Sequence, residues 1–198
     1  MESKLIDRRT LITGSFTATL LPATFGGAPA FAEEVVDQNI DRSNNGWPIQ
    51  NPDSIVSTIK NCNISGLGTD YQIVIGNVDN ILSDFIRQVH YNIKYVAPND
   101  VVGWQLVTES FRGTPYSNLS SGTAFQIRPS MTVDSYFPYK VDMIRNLLSD
   151  YSGVIAWGGD LEIQDESLFY LNVSPSDSLF LSVSEKIRER NLADKRIN

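Results

Sequence analysis

Val78, Ile81, Leu82, Phe85, Val89 and Ile93 recur at i, i+3, i+4, i+7, i+11 and i+15, the clearest apolar period in this 198-residue chain. A stripe of that spacing runs down one side of an α-helix and has to be buried against a partner. Asn77 stands where an N-cap belongs. The remaining apolar runs are mostly too short for helices. Residues 55–59, 71–75, 101–107, 123–127, 154–157 and 168–173 read as strands. Polar stretches at 61–70, 110–121 and 160–167 read as loops. A second helix begins near Pro138, carries Val141, Ile144, Leu148 and Tyr151 on one face, and ends by Gly153. Helices and strands mix without strict alternation, which predicts a single α+β domain with a central, mainly antiparallel sheet flanked by helices.

The ends read differently from the middle. Asp7-Arg8-Arg9-Thr10-Leu11-Ile12 is a paired arginine before apolar residues, and Ala30-Phe31-Ala32 has the small-x-small form of a signal-peptidase site. Residues 1–32 are therefore expected to be a twin-arginine export signal, which carries folded proteins to the periplasm or the outside of the cell. Residues 33–45 are expected to be a flexible lead-in, 46–183 the ordered domain, and 184–198 a charged tail forming a surface helix that frays. No later run reaches the roughly 20 apolar residues a spanning helix requires, so no membrane span is expected.

Charge and cysteine content narrow the chemistry. Sixteen basic against 23 acidic residues give a net charge of −7, and removing a leader with three basic residues leaves the rest more acidic still. Such a surface repels phosphate backbones, and nucleic acid is not an expected partner. Cys62 is alone, which excludes an internal disulfide and a cysteine-built metal site. The one histidine, His90, falls beside the apolar stripe of the first helix and reads as a hydrogen-bonded or solvated side chain. Asp160, Glu162, Asp165 and Glu166 form an acidic run without the glycine and carbonyl spacing of calcium loops.

Arg112, then Ser-Asn-Leu-Ser-Ser-Gly-Thr-Ala-Phe-Gln at 117–126, then a helix, then Trp157-Gly158-Gly159-Asp160, then Asp165-Glu166-Ser167-Leu168 form an ordered set. This set resembles the D-alanyl-D-alanine carboxypeptidase family of zinc peptidases. The family includes vancomycin-resistance D,D-peptidases and phage L,D-endopeptidases, and shares its core with the hedgehog signalling domain. The likeness spans roughly residues 85–173. In that family the loop reads Ser-x-His-x-x-Gly-x-Ala-x-Asp, and a later strand carries Glu/Asp-x-x-His. Ser117, Gly122 and Ala124 match the loop, and Asp165 falls at the general-base position. Arg112 falls where the family places a substrate-orienting arginine. The three zinc-ligand positions hold Leu119, Gln126 and Leu168 instead.

Two leucines and an amide cannot grip zinc, which takes three imidazole, thiolate or carboxylate ligands and leaves one place for water. Without the ion nothing lowers the pKa of water, and a lone aspartate is too weak a base to replace it. The serines at 117, 120 and 121 lack the strand-to-helix elbow of serine hydrolases. The resemblance therefore implies a hedgehog/D,D-peptidase-like fold whose chemistry has been removed. It implies no cofactor, a vestigial base at Asp165, and binding residues at Arg112, Ser117, Gln126, Trp157, Asp160 and Asp165. The expected partner is a peptidoglycan stem peptide or a protein. Two other functions stand beside this one: an active peptidoglycan peptidase with a metal site of another kind, and a secreted interaction or effector domain.

Overall fold

The computed structural model describes residues 41–128 and 138–197, with side chains described through residue 193. The export-signal reading lies outside the described residues. None of the described helices is long and apolar enough to cross a membrane. The architecture is α+β, with two small antiparallel sheets and four helices. Strands β1 (Ile59–Ile64) and β2 (Thr69–Val74) form a hairpin in the register Ile59 to Val74 and Ile64 to Thr69. Helix α1 (Asn77–Asn92) follows directly. Strands β3 (Val101–Val102), β4 (Ala124–Ile127), β5 (Ile155–Trp157) and β6 (Leu168–Leu171) form the second sheet in the order β3-β4-β6-β5. Between them lie the single turn α2 (Ser117–Ser120) and α3 (Pro138–Asp150), and α4 (Ser178–Ile197) closes the chain.

The four-stranded sheet is two-sided, and pairing fixes what each side carries. Phe125 lies opposite Phe169, which lies opposite Trp157; Ile155 lies opposite Leu171. These residues face α1, whose Phe85 meets Phe169 at 5.1 Å and Phe125 at 6.4 Å between ring centres. Phe125 and Phe169 stack at 5.5 Å, and Tyr151 meets Phe85 edge-on at 5.3 Å. The periodic residues of α1 are accordingly buried from Val78 to Val89. The opposite face carries Gln126 and Ala124 on β4, Leu168 and Tyr170 on β6, and Ala156 on β5, since side chains alternate along a strand.

Four expectations need correction. Residues 55–59 are not a strand: 53–56 are turns and bends, with Ile55 and Val56 almost fully exposed. The strand begins at Ile59, and its Lys60, Asn61 and Asn63 are polar and exposed, which is why 61–70 reads as a loop. The strand predicted over 101–107 stops at Val102, because the Trp104 amide turns away to the Gln72 carbonyl at 2.7 Å. Gly76, not Asn77, holds the cap position of α1; the Asn77 side-chain Oδ1 accepts instead from Ser184 and Arg188 on α4.

The fourth correction concerns the tail. Helix α4 starts inside the expected domain and buries Phe180, Val183, Ser184 and Ile187. Arg190 on α4 and Arg87 on α1 both bind the buried carboxylate of Asp84, which also accepts the Tyr151 hydroxyl at 2.7 Å. Burial of Tyr151 itself, and then the Asp84 charge beside it, push its phenol up strongly, so this hydroxyl remains a donor. A stripe of one apolar residue every three or four positions among charges holds the helix down, and composition alone hides it.

Candidate functional site

The loop before β4 is fixed by its own short polar side chains. Ser117 Oγ donates to the Thr114 carbonyl at 2.7 Å and accepts the Asn44 amide at 2.8 Å. Ser120 Oγ donates to the Gln105 carbonyl and accepts the Val107 amide, both at 2.9 Å. Ser121 Oγ donates to the Asn118 carbonyl at 3.1 Å. Asn45 bonds Thr123 and the Leu171 carbonyl, and its amide reaches Asn118. Residues 41–45 are therefore a built part of the site's support, not a flexible lead-in. Their attachment is made of hydrogen bonds, which a polar composition does not announce. Gly122 then turns the chain into β4 at φ 68°, where an added Cβ would stand 2.9 Å from Ile59.

The three positions at which the resemblance expects zinc ligands come together. Leu119 on α2 and Leu168 on β6, both buried, share a small apolar cluster with Ala124 and Tyr170. Val107, Tyr116, Ala156 and Leu161 close its edges. Gln126 is the direct cross-strand neighbour of Leu168. Its Nε2 donates to Asp165 Oδ2 at 3.2 Å and to Ser167 Oγ at 3.1 Å, and its carbonyl oxygen accepts from Arg128.

Asp165 is the centre of that polar knot. Its Oδ1 accepts the Ser167 amide at 2.9 Å and the Ser167 hydroxyl at 2.5 Å; its Oδ2 accepts Tyr116 at 2.8 Å as well as Gln126. Partial burial alone would raise this carboxyl's pKa. The bonds from the Ser167 hydroxyl, Tyr116, the Ser167 amide and Gln126 outweigh it, and the net shift is downward. Tyr116 moves the other way, pushed up to about 12 by burial and by the Asp165 carboxylate. Gly158 lets the loop close on this point: it lies where a Cβ would stand 2.4 Å from the Asp165 carbonyl. An ionised carboxylate holding four donors is a structural acceptor, and its affinity for a further proton is low.

The other expected binding residues separate. Ser117 is wholly buried and serves the loop, and Trp157 is buried on the core face with its indole N–H on the Glu166 carbonyl at 2.9 Å. Neither offers a ligand the polar group expected of it, because Ser117 holds up the α2 turn and β5 directs Trp157 inward. Arg112 is paired with Asp41 at 2.8 Å and Glu109 at 2.6 Å, so its guanidinium is already matched by two carboxylates. Asp160 turns outward to Arg145 at 2.7 Å. The acidic run of 160–166 thus points three ways: to Arg145, into the Gln126 knot, and, for Glu166, into the interior. Among the described residues no three His, Cys, Asp or Glu side chains gather as a metal site. His90 accepts the Val96 amide at 3.2 Å, meets Tyr91 edge-on and lies tilted against Tyr95. Of the aromatic residues flanking the loop, Tyr116 enters the knot and Tyr139 is exposed, while Tyr136 and Phe137 lie outside the described residues.

Ser167 and Arg128 carry no sequence signal of a site in themselves, and Tyr116 reads only as one of the aromatics an interaction surface would use. Tyr116 and Ser167 are immediate neighbours of Ser117 and Leu168, and that adjacency was the one signal available for the knot. Comparisons with protein-family models, curated proteins and solved structures return no match to this chain.

Proposed function

We propose that this chain is an exported relative of the zinc D,D-peptidases, with a hedgehog/D,D-peptidase-like core, that binds a peptide or cell-wall component without cutting it. The reading rests on one observation: Leu119 and Leu168 meet in a closed apolar cluster, with Gln126 beside Leu168 and Asp165 within hydrogen-bond reach of Gln126. A hydrolytic zinc site at these positions needs imidazole or carboxylate donors around an ion that acidifies water. Leucine has no lone pair, and the Gln126 amide is already bonded at both ends. The base position is also committed, since Asp165 is held ionised by four donors. Replacing polar groups with packed hydrocarbon keeps such a fold stable without an ion.

The test uses muropeptides ending in D-alanine. Mass spectrometry after incubation, with and without added zinc, is expected to return them intact, while calorimetry records saturable binding. Cleavage that a chelator abolishes would overturn the loss of catalysis. Absence of heat at millimolar peptide would overturn the binding role.

A further inference from the structure

The face that carries Leu168 opens at its far end. Tyr170 lies two residues along β6 on that face, opposite Ala124 on one side and Ala156 on the other, so small neighbours flank a large ring. Its ring is packed into the face at 7% exposure of the residue, and its hydroxyl makes no hydrogen bond among the described residues. Tyr170 lines a hollow of about 370 Å³ between the C-terminal half of α3, β5 and the end of β6. That volume lies at the lower end of the range for small-molecule sites. Burial and the nearby Asp160 charge both push the Tyr170 phenol up, which keeps its proton in place as a donor.

The same hollow is lined by Arg145 and Asp160, about half exposed and joined Nη2 to Oδ1 at 2.7 Å. Leu148 and Leu161 add apolar wall. An exposed ion pair contributes little stability, so it opens readily to exchange an internal partner for external ones. A simple anion would meet Arg145 but be repelled by Asp160; a simple cation would meet the reverse. A molecule with both charges satisfies both residues.

We propose that this hollow binds a small zwitterion, a free amino acid or dipeptide, whose carboxylate accepts from Tyr170 and Arg145 and whose ammonium donates to Asp160. The inference deepens the binding reading above and rests on it for the choice of a peptide ligand. The pocket wall beside Leu168 then positions a peptide end next to the filled site, not within it.

The experiment is calorimetric titration of the full chain with D-alanyl-D-alanine, with its N-acetyl form and with its C-terminal amide. Saturable binding is expected for the free dipeptide, weakened at least tenfold by either blocking group and at least tenfold by Tyr170→Phe or Arg145→Ala. Tyr170→Phe keeps the ring and its packing, and circular dichroism checks that each variant is folded. No binding of the free dipeptide at 10 mM or more, equal affinity for the blocked forms, or unchanged affinity in a folded Tyr170→Phe would each overturn the assignment. Muropeptide binding that persists undiminished in both variants would overturn this site while leaving the broader binding role standing.

Discussion

The two faces of the four-stranded sheet are built on different terms. On one, Phe125, Phe169, Trp157, Ile155 and Leu171 meet Phe85 and the rest of the α1 stripe, and burial of hydrocarbon accounts for the arrangement. On the other, Leu119, Ala124, Leu168 and Tyr170 sit beside a buried amide that bonds a carboxylate, and no single force accounts for the set. The first face is what any sheet packed on a helix requires. The second keeps polar groups where hydrocarbon would serve stability as well, and such places are where function or its remnant is expected. The difference separates the residues that hold the fold from those whose arrangement packing alone does not require.

The sharpest way to break that contrast is to remove a ring from the core face. Phe169 touches Phe85, Phe125 and Trp157, and Phe169→Ala is expected to lower unfolding stability by about 3–5 kcal/mol in urea titration. A loss under ~1 kcal/mol would mean that the core lies elsewhere.

A smaller effect is expected on the other face. Tyr116→Phe removes one of four donors to Asp165 and should cost about 1 kcal/mol at neutral pH. Its pH dependence carries the sign. The Asp165 carboxyl is depressed in the folded chain, so its contribution is complete above its unfolded pKa of ~4 and is lost as pH falls through that value towards the folded one. Taking Tyr116 away narrows the depression, and the acid limb of stability against pH should become shallower. An unchanged limb would show that Tyr116 does not bear on Asp165.

How much of this was legible follows the same division. Helices α1 and α3 and strands β4 and β6 announce themselves because long-range burial imposes a period on Val78 to Val89 and a run on Leu168 to Leu171. Strand β1 does not, since Lys60, Asn61 and Asn63 face water and imitate a loop. Helix α4 hides its stripe of Phe180, Val183 and Ile187 among charges. Leu119, Gln126 and Leu168 could be picked out by spacing within a motif. Their contacts could not, because the Tyr116–Asp165 bond joins residues 49 apart in the chain. Arg112, Ser117 and Trp157 were placed on the site by that motif and by nothing physical, and the pairing with Asp41 and Glu109, the loop bonds and the core packing take them away from it.

The central claim is that Leu119, Gln126 and Leu168 occupy the positions of three metal ligands. Zinc titration of the Leu119→His/Gln126→Asp/Leu168→His variant, followed by elemental analysis and thermal unfolding, tests it most directly. One zinc per chain and a melting temperature raised by the metal are predicted for the variant, with neither in the unsubstituted protein. A variant that folds yet takes up no zinc, or one that stays unfolded with and without it, would contradict the claim.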